Sequence, residues 1–530
     1  TGAGAAVCVQ GNATFGGAVT VTKNAAESYP SAAALYDAVH IESGSMTVGA
    51  EFTVTHSGIG AAVYVAGNIT LSGTAEITND MTGVSYIEGA DVSYDGVYVG
   101  GTLNASEAVF NVTHTGVNND YSGNYDKLVV RSYAVRVEGG ADSKVTIGSG
   151  RITNSVGGGL YVNGGTVEVG TAGDDGEAGS AQLTISATGS GYDGTWYDTN
   201  GNTANGSNAW HYHKNISGGH AVEVVGGTLT IKGGRYTANM GNGILVQNGT
   251  ATVENGTFIG ADAYTPGTAD SAANAGPAAS YAFKLYGGKL TVNGGTFTDQ
   301  ATTGTGSRYA GSGAFVMGGA SQAQVIVNAG IFNVQGTAAF AVYSNANVTF
   351  GRSGESSNIK LSAESAAITV EDTNGNSGSV VNIYSGTYWC NSPKSGGGSD
   401  GIFYGEGSTE LNIHGGVFSG VGDPDTQSGN TVGRSGLYIA DNPDTNIQIS
   451  GGTFIGHTAE EGTVRWEWWT CYYEGGAIGT PATKNAGTVT DYLSVNIDDI
   501  IAEGHSVQGL DRTTGLVCRY LSNYTTVIVV

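Results

Sequence analysis

Residues 221–260, AVEVVGGTLTIKGGRYTANMGNGILVQNGTATVENGTFIG, state a unit and repeat it 22 residues on. Val222, Val224, Leu229, Ile231 and Tyr236 recur as Ile244, Val246, Ala251, Val253 and Phe258, and the Gly226-Gly227 corner recurs as Asn248-Gly249. A unit this short cannot bury its apolar residues by itself. It buries them by stacking on copies of itself, so the chain is constrained to a solenoid.

The same strand, corner, strand pattern occurs at AVCVQGNATF (6–15), AVHIESGSMTV (38–48), AVYVAGNITL (62–71), GVYVGGTLNA (96–105), AVRVEGG (134–140) and GLYVNGGTVEV (159–169). It continues at AFKLYGGKLTVNGGTF (282–297), AFVMGGASQAQVIVNAGIF (314–332), AVYSNANVTF (341–350), GIFYGEGSTELNIHGGVF (401–418) and GLYIADNPDTNIQISGGTF (436–454). The pattern predicts roughly 12–15 coils. Alternate residues of a strand face opposite sides, so the fixed positions form a core ladder: Val222, Val224, Leu229, Ile231, Tyr236, Phe258, Phe297, Phe332, Phe418 and Phe454. The variable middle position of each first strand (His40, Tyr64, Tyr98, Arg136, Tyr161, Glu223, Lys284) points outward. Gly-Gly and Asn-Gly corners supply the left-handed backbone of a sharp turn.

These units resemble the coils of right-handed parallel β-helices, the pectate-lyase-like superfold also seen in adhesin-like surface proteins and phage tailspikes. The resemblance runs through nearly the whole chain and implies an all-β, right-handed parallel β-helix. It is specific for fold and not for function, because this superfold hosts enzymes, adhesins and structural fibres alike. The expected solenoid spans 1–475, with insertions at 187–219, 260–280, 298–312, 419–435 and 455–475, mostly after the third strand of a coil. Residues 476–530 read as irregular last coils ending in an apolar strand with no polar cap, and as an assembly end.

Enzymes of this superfold present acidic calcium ligands with an Arg or Lys base, or paired Asp residues with Gly-His-Gly and Arg-Ile-Lys segments. Here the paired acids are Asp174-Asp175, in a Gly-rich loop, and Asp498-Asp499, near the end, without a basic partner at a recurring coil position. Neither tripeptide occurs. No catalytic residues are assigned and an enzyme, a polysaccharide lyase or hydrolase, is the third reading. His211, His213 and His220 in AWHYHKNISGGH are the nearest approach to a metal site, but they read as a solvated loop. No cofactor is expected, although a structural divalent cation such as calcium is compatible with the acidity.

The net charge is −25, from 20 basic and 45 acidic residues. It disfavours nucleic acid and anionic membranes, which need clustered Lys and Arg. No run approaches the ~18 apolar residues of a membrane span. The chain starts at Thr1 rather than Met, which reads as a processed, exported protein, extracellular or at the cell surface. Ten N-x-S/T sequons, among them Asn12, Asn68 and Asn104, permit glycosylation without indicating it, since chance gives a similar number.

Four cysteines show no metal-ligand spacing and read as disulfide formers. Cys390 and Cys471 are candidates for an intramolecular staple, and Cys8 and Cys518 for intermolecular cross-links. Aromatic residues gather in two insertions, Trp196, Tyr197 and Trp210 in one, and Trp466, Trp468, Trp469, Tyr472 and Tyr473 in the other. There they can dock a neighbouring subunit, pack locally or stack on sugars. A β-helix whose end strands are uncovered offers unpaired amides and carbonyls to another chain. The expected function is therefore an extracellular structural protein that self-assembles into a filament, sheath or surface layer, with itself as partner. A cell-surface adhesin or carbohydrate-binding rod, with glycans as partner, is the alternative.

Overall fold

The computed structural model describes residues 4–25, 36–88, 92–117, 119–121, 128–189, 196–197, 212–216, 218–239, 241–260, 281–299, 313–319, 321–334, 338–364, 366–371, 378–391, 400–405, 409–420, 422–424, 435–439, 446–456, 465–467, 470–472, 476–479, 482–485, 488–492, 497–508 and 525–530. Among the described residues nearly all regular structure is strand, joined by one helical turn, Ile497–Ile500. The chain forms a parallel β-helix solenoid, divided into two compact units, Thr1–Lys284 and Leu285–Val530.

In the first unit each coil contributes a strand to three sheets. The first sheet stacks Val7–Val9, Val39–Ile41, Val63–Val65, Val97–Val99 and Tyr133–Val137 in parallel register, then the opening residues of Gly158–Val169 and Val222–Ile231, then Ile244–Val246. The second begins with Asn12–Phe15, Ser45–Val48 and Asn68–Leu71, and the third with Val19–Asn24, Phe52–Ser57 and Thr74–Asp80. The second unit repeats the plan. Its second sheet, for example, runs Lys289–Val292, Ala323–Val327, Ala346–Phe350, Val380–Ile383, Glu410–Ile413 and Ile447–Ile449. Eight second-sheet strands in the first unit and six in the second fall within the expected range.

The 22-residue repeat is visible as register. Val222 lies beside Ile244, Leu229 beside Ala251 and Tyr236 beside Phe258. All of the predicted ladder residues are fully buried. Rings stack coil on coil: Tyr236 on Phe258 at 4.8 Å in the first unit, and Phe297 on Phe332 at 4.4 Å and Tyr388 on Phe418 on Phe454 at 5.0 Å each in the second. Identical side chains at identical coil positions cannot avoid meeting at the strand spacing, and flat rings use that spacing well. The corners obey the same geometry. Gly227 and Gly249 have φ of 72° and 78°, and a Cβ on Gly227 would sit 2.5 Å from the backbone of Gly164 in the preceding coil. Glycine is required there both for the turn and for the close approach.

The expected insertions leave from the ends of third-sheet strands: Leu183–Ala187, Thr257–Gly260, Thr296–Asp299, Val417–Ser419 and Gly452–Gly456. Strands within two of them, together with strands outside them, form small antiparallel sheets. One joins Leu128–Val129, Asn119–Tyr121, Tyr212–Ile216 and Trp196–Tyr197; the other joins Arg465–Glu467, Thr470–Tyr472, Ala482–Asn485 and Thr488–Tyr492.

In the C-terminal segment Gly476–Gly479 continues the first sheet, parallel to Ser435–Ile439. Thr525–Val529 runs antiparallel along Gly452–Gly456, from Gly452 opposite Val529 to Gly456 opposite Thr525. Ile501 bridges to Ile449, with Ile500 buried beside it. The apolar VIVV sequence thus covers a third-sheet edge, satisfying amides that an uncapped coil would leave open.

Candidate functional site

Three polar arrangements and one open edge stand out from the repeat. The first arrangement is the outward row of the first sheet, where Cys8, His40, Tyr64, Tyr98, Arg136, Tyr161 and Glu223 lie side by side in register. His40 stacks on Tyr64 at 4.5 Å and Tyr64 on Tyr98 at 4.7 Å, nearly parallel in both cases. The Arg136 guanidinium lies 4.6 Å from the Tyr161 ring centre and 4.9 Å from that of Tyr133. Tyr64 has both ring faces against its neighbours and Tyr161 has one under Arg136, so these rings offer edges more than the faces on which a sugar stacks.

The row faces outward from the coil, yet His40 and Glu223 are buried. His40 Nδ1 lies 2.8 Å from Asp37, and Arg136 pairs with Asp95 at 2.7 Å and Glu138 at 3.0 Å. Glu223 accepts from the Tyr133 hydroxyl and from Gln247 Nε2. Burial raises the Glu223 carboxyl above the ordinary range, and pushes the Tyr98 and Tyr161 phenols up to about 12. The cluster is a set of mutually satisfied groups.

A second arrangement runs inside the third-sheet corner of the first unit. Lys23, His56, Asn79, His114 and Asn154 occupy one coil position. All are buried. Asn79 Oδ1 meets His56 Nδ1 at 2.8 Å, while its Nδ2 donates to the carbonyls of Asp95 and Gly60 at 2.8 and 3.2 Å. His114 sits between the carbonyls of Tyr94 and Asn79 at 3.0 and 3.2 Å. Burial lowers the pKa of both histidines. These side chains satisfy backbone groups where the chain leaves one coil for the next.

The third arrangement was missed by sequence reading. Asp37, Asp95, His220, Asn242 and Asp400 each stand two residues before the first apolar residue of a first-sheet strand. Each accepts the amide of its own counterpart one coil on: Ala61 at 2.9 Å, Tyr133 at 2.8 Å, Asn242 at 3.0 Å, Tyr281 at 3.0 Å and Ser435 at 3.1 Å. The signal was a polar residue ahead of [Ala/Gly]-[Val/Ile], obscured because three residue types share the task. His220, read from sequence as a loop histidine, is one of these caps.

Other candidate residues are placed as follows. Asp174 Oδ2 accepts the amides of Gln182 and Leu183 at 2.9 and 3.2 Å, and Asp175 accepts that of Glu177, so this acidic pair orders its own loop. Asp499 is exposed on the helical turn. Trp196 and Tyr197 lie opposite His213 and Tyr212 in the small antiparallel sheet, and Trp466 opposite Cys471 in the other, next to Tyr472. Trp210, His211, Trp468, Trp469, Tyr473 and Cys518 lie outside the described residues. Cys390 is buried, and its Sγ donates to the Gly420 carbonyl at 3.3 Å. No disulfide occurs among the described residues.

A loop cluster absent from the sequence reading packs over the third-sheet corner, made of Tyr36, Ile59, Met81, Val84, Tyr94 and Val117. Beside it Tyr86 is overlaid by the Arg131 guanidinium at 4.4 Å. On the outer face of the third sheet a shallow hollow is lined by Glu76, Asn111, Thr113, Arg151 and Thr153. Asn111 spends its amide on Glu76 and on the Arg151 backbone, at 2.7 and 2.8 Å.

The edge is that of the first described coil, Val7–Val9, Asn12–Phe15 and Val19–Asn24. These strands pair with the second coil alone among the described residues. Phe15, which continues the buried column of Val48 and Leu71, is 37% exposed, against 0% and 2% for the other two. Cys8 is exposed and Val7 half-buried, whereas Val39 is fully buried.

No match to the chain was found among known protein families, curated proteins or solved structures. Among the described residues no group of three or more His, Cys, Asp and Glu is placed to hold a metal ion, and no helix is long and apolar enough to cross a membrane.

Proposed function

We propose that the chain is an extracellular structural protein that self-associates by stacking coil on coil at the edge of its first coil. One observation carries this reading: among the described residues the first-coil strands pair on one side, and Phe15 is 37% exposed in a column where Val48 and Leu71 are buried. An edge of this kind is a template for another strand. The sequons and the cysteine usage are compatible with an exported protein. The ring-face economy of the outward Tyr row gives the adhesin alternative no support from that row.

Sedimentation of the purified chain against Phe15→Glu tests the reading. Wild type is expected to sediment as an oligomer whose fraction rises with concentration, and the variant as a folded monomer with unchanged β-sheet circular dichroism. A wild-type chain that stays monomeric at the highest soluble concentration sinks the proposal.

A further inference from the structure

The column Lys23, His56, Asn79, His114 and Asn154 has one role in successive coils of the first unit: each side chain faces two buried oxygens at the third-sheet corner. Lys23 Nζ donates to the carbonyls of Gly4 and Asp37 at 2.6 and 3.0 Å. Asn79 Nδ2 donates to those of Gly60 and Asp95 at 3.2 and 2.8 Å, and Asn154 Nδ2 to those of Ser132 and Gly158 at 3.3 and 2.9 Å. An ammonium or a carboxamide nitrogen carries at least two hydrogens, so two acceptors suit it.

The histidines of the column face as many acceptors with fewer hydrogens. His56 Nδ1 lies 2.8 Å from Asn79 Oδ1, and its Nε2 2.9 Å from the Tyr36 carbonyl. His114 Nε2 lies 3.0 Å from the Tyr94 carbonyl, and its Nδ1 3.2 Å from that of Asn79. None of these four partners can donate. Three are backbone carbonyls, and the fourth is held as an oxygen because the Asn79 nitrogen is engaged with two carbonyls of its own. A neutral imidazole has one N–H and one lone pair. In this setting it would press a nitrogen lone pair against an oxygen lone pair once in each ring, with both rings buried.

Charge acts on both sides of the balance. Burial opposes a second proton on either ring, as do the Lys23 ammonium beside His56 and the two rings' effect on each other. The Asp37 carboxylate favours it on His56 and the Asp95 carboxylate on His114. Asp37 opens the coil that His56 closes, and Asp95 the coil that His114 closes. From the outward row His40 and Arg136 draw on the same two carboxylates. A buried cation is costly when its hydrogens lack partners. Here every ring hydrogen has an acceptor within 3.2 Å.

We infer that the folded chain holds His56 and His114 as imidazolium cations, each donating from both ring nitrogens. The corner thus binds two protons that the unfolded chain sheds above about pH 6.5. The folded state then binds more protons, so this contribution is complete below about 6.5 and is lost as pH rises toward the folded pKa. His220 has the opposite sense, because its Nδ1 accepts the Asn242 amide and must stay bare. One residue type serves two coil positions with opposite pH dependence, according to whether its partner is a donor or an acceptor.

Nitrogen NMR of the full chain carrying isotope-labelled histidine reads the protonation directly. At pH 7.5 the His56 and His114 rings, identified by the signals that vanish in His56→Asn and His114→Asn, are expected to show both nitrogens protonated. A bare nitrogen on either ring overturns the assignment for that residue, and a wild-type spectrum with no imidazolium overturns both without any variant. Asparagine is the replacement because Asn79 and Asn154 already fill this column; where it does not fold, lysine takes its place, as Lys23 does in the column itself. Urea unfolding gives a second readout. From pH 6.5 to 8.5 the wild-type unfolding constant should rise relative to each variant, by up to about tenfold per pH unit. Parallel curves, or a wild type that gains on the variants as pH rises, overturn the inference.

Discussion

The Asp37 carboxylate accepts the amide of Ala61, the residue that holds Asp37's own place one coil later, at 2.9 Å. Asp400 does the same for Ser435 in the second unit at 3.1 Å. A buried amide without an acceptor costs about 1–3 kcal/mol. Asp400→Ala is therefore expected to lower stability by about that amount and to remove hydrogen-exchange protection at Ser435. Asp400→Asn, which retains an oxygen at the same place, should stay within about 1 kcal/mol of wild type by the same reasoning. Equal losses in the two variants would show that the charge, and not the cap, matters.

The caps explain which parts of the fold were legible. Val222, Leu229, Ile231 and Tyr236 could be read as core because apolar identity recurs with the coil, and the structure fully buries each. The cap recurs only at some coils, and Asp37, His220 and Asn242 have no shared residue type, only a shared acceptor role. The terminal VIVV could be read as a strand but not given a direction, for a related reason. An apolar strand looks the same whether it continues a solenoid or, like Thr525–Val529, crosses its edge antiparallel. The aromatic insertions were legible as insertions, since they interrupt a period. What Trp196 or Trp466 touches depends on contacts that no period encodes.

His220 makes one cap sensitive to acid. Its Nδ1 accepts the Asn242 amide at 3.0 Å and so carries no proton, and burial, helped by Lys284, pushes its pKa down to about 3. In the unfolded chain the same ring takes up a proton near pH 6.5. The unfolded state thus binds more protons as pH falls, and this group's contribution is complete above about 6.5 and is lost at about 1.4 kcal/mol per pH unit below it. Glu223 acts in the opposite sense, because burial raises its folded pKa. His220→Asn copies the cap that Asn242 already makes to Tyr281. Urea midpoints from pH 7.5 to 4.5 should fall less steeply in that variant; parallel curves would remove His220 from the account.

Phe418 lies between Tyr388 and Phe454, 5.0 Å from each ring. Phe418→Ala leaves a cavity shared by three coils and is expected to cost about 3–5 kcal/mol. Phe418→Leu keeps most of the volume and should cost markedly less. The decisive comparison is Phe15→Leu at the open edge. That ring has a neighbour on one side and is 37% exposed, so thermal unfolding of the dilute chain should barely change.

Arg136 joins the outward row to the caps, since its Nε donates to Asp95 Oδ2 while Asp95 Oδ1 accepts the Tyr133 amide. The pair is mostly buried, with side-chain exposures of 17% and 4%. Removing one member of such a pair leaves an uncompensated charge and costs about 3–5 kcal/mol. Arg136→Ala is expected in that range. Arg136→Lys should recover little of it, because an ammonium cannot lie flat between Tyr133 and Tyr161 and still reach both Asp95 and Glu138. The double variant Asp95→Asn, Arg136→Met keeps the amide cap, fills the space between the rings and removes both charges. It should be closer to wild type than Arg136→Ala is. If its unfolding midpoint is instead the lowest of the three, the ion pair itself holds this part of the solenoid together.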